Sequence, residues 1–167
     1  MNIKPPYHIT SLLPEMDLKN KTVLLRADLN VPLENGSILN DFRLKALLPT
    51  LELLLYKKEA NVLLITHIGR PKKKEPNLST RHLLSWFNEH HYDVIFAESI
   101  EEAGNLLKSN SFVLLENIRF WKGEKTADES WAQELKDISE YYVMDAFGVT
   151  HRDDTSVAIL PSLYQSE

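Results

Sequence analysis

Cysteine is absent from the 167 residues. Disulfides, thiolate metal sites and cysteine nucleophiles are therefore excluded, while the redox compartment stays open. No apolar run approaches the ~20 residues of a membrane-spanning helix. The N-terminal MNIKPPYHIT has no continuous apolar stretch of signal-peptide type. A basic excess is also missing. The net charge is -5 at pH 7, which argues against a general nucleic-acid surface. Three familiar signatures do not occur: GxxxxGK(S/T), GxGxxG and GxSxG. The chain thus has no Walker-type loop, no dinucleotide fingerprint and no hydrolase elbow. The default expectation is a soluble cytoplasmic protein with no nucleic-acid or membrane partner. Its length suits one domain with a real core.

What is present is a rhythm of apolar runs and amphipathic stretches. Residues 1–20, with Pro5, Pro6 and Pro14, read as a lead-in. Strand-like runs follow at Thr22–Ala27, Val62–Thr66, Asp93–Ala97, Phe112–Leu115 and Tyr142–Met144, with a sixth at Val157–Leu160. Helical spacing is clearest from Phe42 to about Lys58, after a potential cap at Asp41, with a kink or break predicted at Pro49. Further helices are expected from Ser79 or Thr80 to about His90, after Ser99, and over 126–139. A turn carrying Asn35-Gly36 lies within 31–41, and the Lys72–Lys74 run reads as a solvated loop. Continuous apolar strands indicate a sheet covered on both faces. The expected fold class is α/β, a three-layer Rossmann-like domain with a mainly parallel six-stranded sheet and helices on both faces.

Five of the six arginines gather in short motifs that cap or follow these runs. They are RADLNVP from Arg26, the DFR ending at Arg43, HIGRP through Arg70, ENIRF through Arg119 and DAFGVTHR through Arg152. Loops at the carboxyl ends of parallel strands line the ligand crevice of an open α/β sheet. Guanidinium groups there suit a small, highly anionic ligand. Arg26, Asp28 and Asn30 alternate, so period two places them on one face. They form either an internal Arg26–Asp28 ion pair or a polar ligand wall. Arg43 sits in a first helical turn, where a cation opposes the macrodipole. It reads either as a functional residue or as a partner of Asp41. Gly69 permits positive φ in a stiff loop that presents His67 and Arg70. His67 and His151 lack the neighbours of a metal set, so no metal site is expected.

In this order and spacing, RADLNVPL, DFRLKALLPT, THIGRP, LLENIRFWKGEK and DAFGVTHR closely resemble the N-terminal domain of phosphoglycerate kinase, bacterial type. The likeness runs from about Met16 to Pro161. It implies a phosphotransferase that moves a phosphoryl group between 1,3-bisphosphoglycerate and ADP, with a carboxyl group as acceptor in reverse. Carried over by position, the resemblance makes Asp28, Asn30, Arg43, His67, Gly69, Arg70, Arg119 and Arg152 substrate-binding. Arg43 is also catalytic, and Arg26 and His151 are close by. It further implies a monomer, with 1–167 as a single domain and 155–167 as the start of a connection to a missing nucleotide domain. Mg-ATP or Mg-ADP would bind there, leaving no cofactor on this chain and no turnover by it alone. The alternative is a stand-alone anion-binding or interaction module derived from that domain. One departure lies beside the basic patch. The family continues HRA-x-(A/S)-S, whereas here Asp153-Asp154-Thr155-Ser156 follow Arg152. The two carboxylates are expected to face away from the patch.

Overall fold

The computed structural model describes residues 16–164. Most of the expected lead-in, 1–15, and the last three residues of the expected connection, 165–167, lie outside the described residues. Five strands form one parallel sheet: β1 (Thr22–Ala27), β4 (Asn61–Ile65), β5 (Ile95–Ala97), β6 (Phe112–Leu115) and β7 (Tyr141–Asp145). The spatial order is β5-β6-β4-β1-β7. β1 pairs in parallel with β4 on one side and β7 on the other. The intervening β2 (Leu33–Glu34) and β3 (Ser37–Ile38) make a small antiparallel hairpin. Its two-residue turn is Asn35-Gly36, both at positive φ, the pattern of a type I′ turn.

Alternate residues of β1 feed two separate cores. Val23, Leu25 and Ala27 join Leu44, Leu47, Leu51 and Phe87 on one face. Leu24 joins Leu63, Ile65, Trp131, Leu135 and Leu160 on the other. Helices α1 (Phe42–Leu51) and α2 (Leu84–Glu89) cover the first face; α3 (Ile100–Leu106) and α4 (Glu129–Asp137) cover the second. The mainly parallel three-layer arrangement agrees with the sequence.

Three local expectations are corrected. Pro49 does not break its helix; the chain continues through Leu51 and changes to a π-helical stretch over Glu52–Lys57. A proline donates no backbone N–H, so the ladder loosens there without ending. Asp41 occupies the N-cap position but makes no side-chain cap bond. Its carboxylate accepts instead from Trp86 Nε1 at 3.1 Å and pairs with Lys45, while Asn40 Oδ1 accepts from Phe42 N. The sixth strand does not exist among the described residues: Thr155–Ala158 is a short helix, α5, followed by a 3₁₀ stretch at Leu160–Tyr164. A four-residue apolar run does not distinguish strand from buried helix. Here Thr155 and Ser156 decide, because both are buried and bond to the 123–124 segment.

Candidate functional site

Four loops leave the carboxyl ends of β1, β4, β6 and β7, and side-chain bonds tie them together. Thr66 Oγ1 accepts from Leu29 N at 3.0 Å and donates to Ala27 O at 2.9 Å. Asn30 Oδ1 accepts from Gly69 N at 2.8 Å. Asn117 is the central tie: its Nδ2 donates to Ile68 O and Leu78 O at 2.8 and 2.7 Å, and its Oδ1 accepts from Arg119 N. Glu116 accepts from Ser79 Oγ, Thr80 N and Asn117 N. Gly69 sits at φ +66, and a Cβ there would lie 3.0 Å from Leu78 Cδ2. Only glycine reaches that conformation without cost. The loop is tied as expected, with Asn117 as one of the ties, but of the two residues it was expected to present only Arg70 is exposed; His67 is buried against Arg26.

Six of the predicted residues fall into three settings. The first is an outer cleft of about 410 Å³ lined in part by Asp28, Phe42, Arg43, Phe147 and Gly148. Within that lining Arg43 Nη1 forms an ion pair with Asp28 Oδ2. A Cβ on residue 148 would lie 2.8 Å from that carboxylate oxygen, so glycine there leaves room for the pair. Arg43 thus pairs with Asp28 and not with Asp41.

The second setting is buried. Arg26, fully shielded from solvent, donates from Nε to Ser156 Oγ at 3.1 Å, from Nη1 to Ala27 O, and from Nη2 to His67 Nδ1 at 3.0 Å. Ser156 Oγ donates to Glu124 Oε1 at 2.6 Å, and Ser156 N donates to Glu124 Oε2 at 2.9 Å. Neither sequence alternative for Arg26 holds. β1 ends at Ala27, so period two does not carry on to Asp28. Arg26 turns toward α5, on the Leu24 side, and Asp28 meets α1, on the other.

The third setting is a pair of arginines sharing one carboxylate. Arg119 Nη1 donates to Gly69 O at 2.9 Å, and Nη2 donates to Asp154 Oδ2 at 3.2 Å. Arg152 Nη1 lies 3.9 Å from the same oxygen. Asp154 therefore faces into the patch, contrary to expectation, whereas Asp153 is exposed. Arg70 and His151 are exposed at the loop tips. They form no hydrogen bond or ion pair among the described residues. A larger cleft of about 800 Å³, beside the hairpin, has no arginine or lysine in its lining and is not where the cations converge.

Burial sets the protonation states. Desolvation first, then Arg26, Arg119, Arg152 and Arg43, hold the His67 imidazole far below its usual range, at about 2. Arg26 can only donate, so His67 Nδ1 is the acceptor and the neutral ring carries its proton on Nε2. Desolvation pushes the Glu124 carboxyl up to about 7, against the opposing pull of Ser156 and Arg26. Desolvation likewise lowers the Arg26 guanidinium.

These shifts have a stability consequence. Glu124, raised in the fold, contributes most below about 4.5, and its contribution is lost as pH rises through about 7. His67, depressed in the fold, contributes most above 6.5 and loses it as pH falls toward about 2. Between about 4.5 and 6.5 the two changes run in opposite directions and offset each other. Glu124→Gln should abolish the alkaline fall, so that its stability relative to wild type rises between pH 5 and 8 by on the order of 2–3 kcal/mol. Urea unfolding across that range checks it; parallel curves for the two proteins would refute it.

Sequence reasoning missed Asn117, Glu124, Thr66 and Ser156 as organisers. The signal was available in part. A polar residue directly after a fully apolar strand, as in LLEN and LLIT, must satisfy its bonds among neighbouring loops when buried. No local signal joined Glu124 to Ser156, because that bond spans 32 positions.

The class is an α/β domain whose parallel sheet gathers arginines at its carboxyl edge and whose sequence carries no nucleotide loop. Its family follows from comparison: the phosphoglycerate kinase family model matches residues 13–166, and the chain belongs to that family. A phosphoglycerate kinase of Aquifex aeolicus is 42% identical over 89% of this chain and 39% of its own length. A cytosolic one of Triticum aestivum is 40% identical over 86% of this chain and 37% of its own. The solved phosphoglycerate kinase of Coxiella burnetii superposes with a TM-score of 0.77 at 30% identity, covering 91% of this chain and 39% of that one. The chain thus spans about two-fifths of the length of these relatives. Among the described residues, no helix is long and apolar enough to cross a membrane.

Proposed function

We propose that this chain is the phosphoglycerate-binding half of a cytoplasmic, monomeric phosphoglycerate kinase. It holds 3-phosphoglycerate or 1,3-bisphosphoglycerate for phosphoryl transfer to and from a nucleotide. The observation that carries this reading is the convergence of Arg119, Arg152, His67 and the Arg43–Asp28 pair on four loops at one sheet edge. Phosphoryl transfer asks chiefly for positioning and for neutralisation of spread negative charge. In this reading exposed Arg70 captures phosphate, Asp28 and Asn30 contact the glycerate end, and Gly69 allows close backbone approach. Arg26 and His151 support the site without a contact of their own. Arg43, on the first turn of α1 and half exposed, is the catalytic residue that meets the phosphoryl group in flight.

Mg-ATP or Mg-ADP is not assigned to the described site in this reading: its carboxylates Asp28 and Asp154 are engaged by arginine, and Asp145 accepts from Thr50. In this reading the nucleotide binds in the part of the relatives' length that this chain does not span, and the chain alone is expected to show no turnover. ATP formed from 1,3-bisphosphoglycerate and ADP by this chain alone would overturn that assignment.

Titration with 3-phosphoglycerate tests the binding reading. Amide shifts are expected around Arg43, Gly69, Arg119 and Arg152, with affinity falling several-fold as salt rises, because exposed charges are screened. An absence of shifts there would instead favour a stand-alone module whose basic groove serves another anion. The observation favouring that second reading is Asp154, which already neutralises part of the groove.

A further inference from the structure

We propose that Asp154 is a built-in counter-anion, displaced when a phosphate enters, and that it sets the affinity of this groove; the inference rests on the binding reading above. Three observations carry it. Asp154 holds the N-cap position of α5 yet makes no side-chain cap bond. An N-cap carboxylate normally accepts from the first helical N–H groups, and here it reaches the arginines instead. Next, Arg119 is spoken for on two sides. Its Nη1 is bound to Gly69 O, and its Nη2 to Asp154. Finally, the Nε atoms of both Arg119 and Arg152 are buried with no partner. Buried donors without partners are costly and uncommon.

The guanidinium edge made by Nε and Nη2 is the one a phosphate would grip with two parallel bonds. In Arg119 that edge is half filled: Asp154 takes Nη2, and Nε is buried with no hydrogen-bond partner. A phosphate oxygen pair satisfies both donors only if the carboxylate leaves Nη2. A singly charged ligand merely exchanges one negative charge for another at Arg119. A phosphate carrying nearly two negative charges gains from the exchange and also reaches Arg152. Asp154 thus lowers affinity for all anions and favours phosphate over a simple carboxylate.

Asp154→Asn and Asp154→Ser, the latter a good N-cap without charge, are compared with wild type by calorimetric titration with 3-phosphoglycerate, inorganic phosphate and unphosphorylated glycerate. Affinity for 3-phosphoglycerate is expected to rise about fivefold or more in both variants. Glycerate, negligible with wild type, is expected to gain proportionately more. Asp153→Asn removes an exposed neighbouring charge and should change affinity less than about twofold. Equal or weaker binding by both Asp154 variants overturns the inference and leaves the binding reading intact. If neither wild type nor variants bind 3-phosphoglycerate or phosphate, both fall.

Discussion

Arg26→Ala is expected to lower the folding stability of this chain by about 3–5 kcal/mol, the cost of breaking a buried charge network from one side. The substitution removes three donors at once, to Ser156, Ala27 and His67. It also removes the Arg26 charge that favours the ionised form of Glu124, while the two bonds from Ser156 to that carboxylate remain. A cavity the size of an arginine side chain adds to this. Against a typical total of about 5–15 kcal/mol, most of the margin goes. Arg26→Met, which keeps much of the volume, separates the parts. It should recover the packing share but not the hydrogen-bond share, and it should let the His67 pKa climb, since Arg26 is the largest of the charges holding it down. Urea unfolding and the His67 ring signals followed by NMR give both readouts. A loss under about 1 kcal/mol for Arg26→Ala would mean that Arg26 is not the keystone its burial makes it.

That expectation reverses what the sequence alone suggests for this residue. Arg26 reads in the chain as one more cation of the anion site, and its strand position as one face of a ligand wall. The structure uses it as the link between β1, the His67 loop and α5. The difference is physical: a sequence shows where a side chain starts along a strand, not what stands opposite it. The broad plan was legible because it depends on local signals. TVLLRA, NVLLI and FVLL are continuous apolar runs, and the parallel sheet follows from them. The convergence of strand-end arginines was legible for the same reason, since strand ends in such a sheet share an edge. What was not legible depends on distant partners. The VAIL run became a helix because Thr155 and Ser156 are anchored to Gly123 and Glu124. The direction of Asp154 was misjudged because Arg119, 35 positions earlier, draws its carboxylate inward. Asn117 passed as a motif letter, although its three bonds hold the Gly69 and Arg119 loops in one frame.

In a full-length phosphoglycerate kinase that carries these residues, Arg43→Ala is expected to lower kcat by about 10²–10³-fold, the scale of losing one preorganised donor at developing charge. The KM for 3-phosphoglycerate is expected to change much less, because an interaction made mainly in the transition state appears in kcat. The geometry sets Arg43 apart from the other cations. Arg119 is buried and bonded to Gly69 and Asp154, and Arg152 is partly buried beside it; both are fixed before a ligand arrives. Arg43 is half exposed and, among the described residues, held only by Asp28, in a cleft also lined by exposed Phe42 and Phe147. It can swing from Asp28 to a phosphoryl group without disturbing the core. Its loss does two things: it removes the mobile cation, and it leaves the Asp28 carboxylate unpaired in a largely buried place, repelling an incoming anion. Arg43→Ala with Asp28→Asn therefore separates them. If Arg43 acts on the phosphoryl group directly, the double variant stays near the kcat of the single one. If the main harm is the exposed repulsion of Asp28, the double variant regains most of the activity, and the catalytic assignment of Arg43 fails.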